Sequence, residues 1–146
     1  APLMGHAVAR WGERKALLFE YFGLICVFLA YGGIYLFGWG VLLAAALYIL
    51  DHMFFGLALA LKTYFQKIAD PADIAPTAAV AFTINHISAV FLPVLLGFLW
   101  LTSPAAVFCV AAGIAALSFL LALLIPRHPQ SGAETLLRPA TTAATD

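Results

Sequence analysis

Apolar residues run along this chain in four long blocks, with no two-residue or amphipathic helical alternation, and short clusters of Gly, Pro, Ser, Thr and charged residues separate them. Blocks close to the ~20 residues that a bilayer-crossing helix needs predict spans at about 16–37, 41–61, 76–100 and 105–125. Gly38 and Gly40 break the first connection and Thr102-Ser103-Pro104 the third, so the links are short and the spans are expected to form antiparallel hairpins. Between spans two and three, 62–75 is expected to be a short turn or surface helix. There Asp70 offers an N-cap, Pro71 suits a first helical position and Asp73 places an acid near a helix start. Trp39 and Trp100 fall at the ends of spans, where an indole buries its ring and keeps its N–H wet.

Charge gives the blocks a direction. The seven Lys and Arg residues precede span one (Arg10, Arg14, Lys15), follow span two (Lys62, Lys67) or follow span four (Arg127, Arg138), and the other two connections carry no charge. The positive-inside rule makes the basic side cytoplasmic. Composition agrees: 64% of residues are hydrophobic, 10% are charged and mean hydropathy is +1.02, against roughly 25% charged residues in an ordinary soluble domain. Nucleic-acid binding is a poor reading of such a chain, and an all-α, polytopic transmembrane bundle is the expected fold class. Cys26 and Cys109 sit far apart inside apolar spans, without metal-ligand spacing.

After Pro126 the composition shifts to Ser, Thr, Pro and Ala, which predicts a disordered cytoplasmic tail over 127–146 behind a membrane domain over 1–126. Residues 1–15 are expected to hold the end of a helix already under way and a cytoplasmic loop. That start suggests a fragment of a longer chain.

Candidate chemistry lies with polar groups deep in the spans, because an ionisable side chain at mid-bilayer is costly and marks a cavity or a partner. Asp51 and His52 lie ~16 Å along span two from its basic end, and Asn85 and His86 lie ~15 Å along span three. Tyr48 stands one turn from Asp51 and His52, and Thr83 one turn from His86, so hydroxyls are placed to join either pair. Desolvation penalises a charged carboxylate, and imidazole titrates near neutrality. The expected role is therefore proton coupling or solute orientation, with interhelical packing as the alternative for each pair. Glu20, one turn inside span one, is expected to snorkel or to pair with Arg14 or Lys15. Pro93, followed one turn later by Gly97, frees a backbone carbonyl and is expected to bend span three as part of a gate.

The run Gly5-His6-Ala7-Val8-Ala9-Arg10-Trp11-Gly12-Glu13-Arg14-Lys15 resembles the cytoplasmic loop motif of the major facilitator superfamily. Gly5, Arg10, Gly12, Arg14 and Lys15 match at their spacings, while Ala9 stands where the family has Asp. In the copy of that motif between helices eight and nine, the resemblance makes the four spans equivalent to helices nine to twelve, within the C-terminal half of the fold. The segment Thr63 to Ala69, followed by Asn85 to Pro93, also resembles a group of bacterial facilitators. The family relation implies a cavity-lining role for Asp51, His52, Asn85 and His86, and a state-dependent clamp formed by Arg10, Arg14 and Lys15 with acids or carbonyl ends of neighbouring helices.

These observations predict a secondary transporter of a small solute in a bacterial inner membrane. It would work by alternating access, with binding groups near the midplane and a proton as the expected coupling ion. Its expected partners are the lipid bilayer, the solute and the N-terminal remainder of the same transporter. No nucleotide-binding loop, metal cluster or nucleophile–base pair is visible in the sequence, so ATP-driven transport and enzymatic catalysis have no support there. The alternative is a complete small four-helix membrane protein, either an exporter that uses Glu20 as its acid or a non-transporting assembly factor.

Overall fold

The computed structural model describes residues 2–131 and 134–137. Those residues form α1 (Pro2–Trp11), α2 (Glu13–Phe37), α3 (Val41–Phe55), a 3-10 turn (Gly56–Ala58), α4 (Leu59–Ile68), α5 (Pro71–Thr102) and α6 (Pro104–Leu123). Four helical stretches are long and apolar enough to cross a membrane: α2, the run from α3 through α4 (Val41–Ile68), α5 and α6. The fold is all-helical among the described residues, as the pattern of apolar blocks predicts.

The helix ends follow from particular side chains. Gly12 separates α1 from α2 with φ +82° and ψ 154°, a conformation essentially restricted to glycine. Gly38 closes α2 in the left-handed region and donates its N–H to the Ile34 carbonyl. At the start of α5, the Asp70 carboxylate accepts from Ala72 N at 2.9 Å, and Pro71 takes the first helical position, where its missing N–H costs little. Ser103 does the same for α6, accepting from Ala106 N at 3.3 Å.

Of the turn or surface helix expected over 62–75, the structure shows a turn, shorter than that segment because the flanking helices extend into it. Helix α4 continues to Ile68 and α5 begins at Pro71, which leaves only Ala69 and Asp70 as the link. Both have extended backbone, with ψ of 146° and 137°, and α4 and α5 do not pack along one another. The Asp70 cap starts the next helix as soon as the previous one stops.

Helix α2 is the hub of the packing. It lies against α6 most extensively and also against α1, α3 and α4. At the basic end the core comprises Val8, Ala16, Leu17, Leu57, Ala60, Ala122 and Ile125. Small residues let the backbones approach there, as in other membrane bundles. A Cβ on Gly23 would overlap the ring of Phe54, so this glycine is the space into which α3 packs. At the opposite end the contacts are aromatic: Tyr31 stacks on Phe108 with centroids 5.0 Å apart, and Trp100 meets Tyr35 at 5.4 Å. Trp39 stacks on Phe37 at that same end.

Part of the segment expected to be a tail lies against the bundle. The Tyr64 hydroxyl donates to the Glu134 carbonyl at 2.6 Å, Ser131 Oγ donates to the Ile68 carbonyl at 3.2 Å, and Leu136 N donates to the Leu124 carbonyl at 2.8 Å. Residues 132, 133 and 138–146, including Arg138, lie outside the described residues.

Candidate functional site

Asp51 and His52 sit on the last turns of α3. The His52 Nδ1 is 3.7 Å from Asp51 Oδ2, and the two side chains are 58% and 30% exposed. That nitrogen is also 3.0 Å from the Tyr48 carbonyl. A carbonyl only accepts, so Nδ1 carries the hydrogen and Nε2 is left to meet a ligand. The Tyr48 ring lies against the imidazole with centroids 4.2 Å apart. One turn of α3 thus presents a phenol, a carboxylate and an imidazole on adjoining positions.

Helix α5 repeats the arrangement with one substitution. His86 Nδ1 is 3.0 Å from the Phe82 carbonyl, and the two rings are 4.0 Å apart. Again the hydrogen belongs on Nδ1 and Nε2 faces outward from the helix backbone. Asn85 is exposed beside it. Thr83 donates its hydroxyl to the Ala79 carbonyl at 3.0 Å, so it satisfies its own helix and does not extend a network toward His86.

The structure keeps these two groups on separate surfaces. Helix α3 packs on α2 and α5 rests on α6, while α3 and α5 are not packed together. Their similar depth, legible in the sequence, does not by itself bring them around one cavity. Both faces are open laterally: none of the described residues of α5 is buried. Helix α5 runs unbroken through Pro93 and Gly97 from Pro71 to Thr102. A cavity of about 300 Å³ does exist at the basic end, lined by Leu17, Tyr21, Leu61, Tyr64, Ser118 and Thr135 among others. None of the deep polar residues picked out in the sequence lines it.

The loop residues are placed more informatively. Gly12 supplies the turn, and Arg14 Nη2 donates to the Leu123 carbonyl at 3.2 Å, at the last turn of α6. Cation and helix C-terminus attract one another through the unsatisfied carbonyls there. Gly5 lies within α1, and Arg10 and Lys15 are exposed. No neighbouring atom crowds either Gly5 or Gly12, so the backbone angle, and not close helix approach, accounts for Gly12.

Two acids have roles that the sequence pattern did not give. Glu13, at a variable position of the loop motif, is buried and accepts from Lys67 Nζ at 2.6 Å, which ties the start of α2 to the end of α4. Its signal was available as an acid beside a basic loop with a second basic loop facing it. Glu20 neither snorkels nor pairs: it is 4% exposed, and its Oε2 has no hydrogen-bond partner among the described residues. Lys15 is exposed and Arg14 is engaged with Leu123, so neither expected partner reaches it. The reason is rotational, because Glu20 follows Ala16 by four residues and Leu17 by three and so shares their buried face.

Among the described residues, no three His, Cys, Asp or Glu side chains gather as metal ligands. No family model, curated protein or solved structure matches the chain.

Proposed function

We propose that this chain forms part of a proton-coupled secondary transporter of a small solute, similar in plan to the C-terminal half of a major facilitator. The observation that carries this reading is the loop between α1 and α2. It joins four helices (α1, α2, α4 and α6) at one end of the bundle through the Gly12 turn, the Glu13–Lys67 pair and the bond from Arg14 to the end of α6. Polar contacts of this kind can be made in one state and released in another, whereas a loop serving topology alone needs only its charge. In this reading the Asp51–His52 and Asn85–His86 surfaces line the wall of a central pathway whose other wall comes from further helices. The basic end faces the cytoplasm of a bacterial inner membrane.

The unburied face of α5 equally suits a small four-helix protein whose copies cover one another. Size measurement of the purified protein in a lipid nanodisc separates the two: a single copy joined to further helices supports the transporter, and a closed oligomer of four-helix chains supports the alternative. For the transporter, the test of mechanism is Asp51→Asn. Solute-evoked proton movement in proteoliposomes, screened over organic acids, sugars and amphiphilic cations, is expected to disappear in the variant. Proton movement equal to that of the original protein would remove Asp51 from the coupling step.

A further inference from the structure

We infer that Glu20 is a proton-binding site in the packed state of the bundle, distinct from the Asp51–His52 surface. Three observations converge on it. The side chain lies on the inner stripe of α2, spaced seven residues from Glu13, four from Ala16, three from Leu17 and seven from Val27, and all of these are buried. Its Oε2 is inaccessible to solvent and has no donor among the described residues. Its sequence neighbour Tyr21 and Leu17, one turn away, line the 300 Å³ cavity between α2, α4 and α6 at the basic end.

An ionised carboxylate held there would lose the hydration of Oε2 and gain no hydrogen bond at that oxygen in return. Two ligands would relieve it: a proton or a metal cation. A cation needs several oxygen ligands, and the positions flanking Glu20 on this stripe are Ala16, Leu17, Gly23 and Val27. The proton needs only the carboxylate itself. Protonation by a hydronium ion forms an O–H bond on Glu20, removes its charge and leaves a water molecule behind.

Among the described residues, the charged groups of the neighbouring elements are held elsewhere or lie exposed, Arg127 and His128 after α6 among the exposed ones. On α4, Lys67 is held by Glu13, the Tyr64 hydroxyl by the Glu134 carbonyl, and Lys62 is exposed. On α3, His52 is turned toward Asp51 and the Tyr48 carbonyl. On α1, His6 and Arg10 are exposed. Helix α6 carries no charged residue, and on α2 itself Arg14 reaches Leu123, Lys15 is exposed and Tyr21 is a neutral phenol.

The cavity lies beside the acid's own turn of α2, and Glu20 is not among its lining residues. Thr135 lines it from the segment that Tyr64 and Leu124 hold in place through Glu134 and Leu136.

This inference does not rest on transport, because it is read on the resting protein without solute. Infrared spectroscopy of the full chain in lipid at neutral pH is the test. The expected result is a carbonyl band of a protonated carboxyl that is lost in Glu20→Gln and unchanged between sodium and sodium-free buffer. A spectrum in which Glu20→Gln removes only a carboxylate band, or in which the protonated band disappears on adding sodium, overturns the inference. Should the Gln variant fail to fold, dicyclohexylcarbodiimide labelling of the original protein followed by peptide mass spectrometry serves instead. Modification at Glu20 is expected, since the reagent attacks protonated carboxyls in apolar sites, and an unmodified Glu20 overturns the inference.

Discussion

Helices α2 and α5 are alike in apolar character and differ entirely in how they are used. A third of the most apolar window of α2 is buried inside the protein, and none of that of α5 is. Hydropathy cannot separate them, because lipid tails solvate Leu and Phe as well as a protein core does. What separates them is small residues at the right rotation. Along α2, Ala16, Gly23, Gly32 and Gly33 fall on the buried face, whereas Gly97 on α5 faces open space. Burial in such a bundle is thus a property of steric fit, and a polar residue on the buried face meets a much harsher setting than one on the open face. Glu20 and Asp51 are the two cases.

The contrast breaks most sharply with a pair of substitutions. Gly23→Leu drives a side chain into the Phe54 ring and is expected to cost about 3 kcal/mol through overpacking, while Gly97→Leu should stay within about 0.5 kcal/mol. Thermal unfolding in detergent–lipid micelles reads both, and equal effects would mean that α5 is as tightly packed as α2. Next comes Gly12→Ala, expected to cost about 2 kcal/mol because alanine avoids the backbone conformation held there. Gly5→Ala, in the same motif but inside a helix with no atom crowding it, should instead stabilise by about 0.5 kcal/mol. Opposite signs for the two glycines are the outcome to look for. Third, Lys67→Met strands the buried Glu13 carboxylate and should cost about 1–2 kcal/mol, a figure reduced because the lysine is half-exposed. Lys62→Met, at an exposed position, is the matched control and should change little. The smallest effect expected is that of Tyr64→Phe, about 1 kcal/mol for the lost bond to the Glu134 carbonyl.

Much of the fold is legible in the chain. The four apolar blocks give four helices, and Asp70-Pro71 and Ser103-Pro104 give helix starts through caps that local chemistry dictates. The extent of α4 was harder to see, because Lys62 and Lys67 mark an interface in the sequence but do not end a helix. Sites were less legible than spans. Depth along a helix follows from counting residues, so Asp51 and Asn85 are at comparable depths, but which faces turn toward one another depends on packing among four nearly uniform apolar cylinders. The same missing rotation hid the burial of Glu20 and the pairing of Glu13 with Lys67. Arg14 at the end of α6 was within reach of sequence reasoning, since a guanidinium close to helix termini seeks free carbonyls.

The length of α5 has one more consequence. Its 32 residues extend ~48 Å at 1.5 Å per residue, against a hydrocarbon layer of ~30 Å. Even a tilt of ~40°, the steep limit for such helices, projects to about 37 Å along the membrane normal. The excess must stand in the headgroup layer or thicken the bilayer around it, and the end bearing Asp70 and Asp73 is the polar one. The helix is therefore long enough to span with tilt to spare, and its packing on α6 and the Trp100 anchor, more than the lipid, set the angle at which His86 is presented.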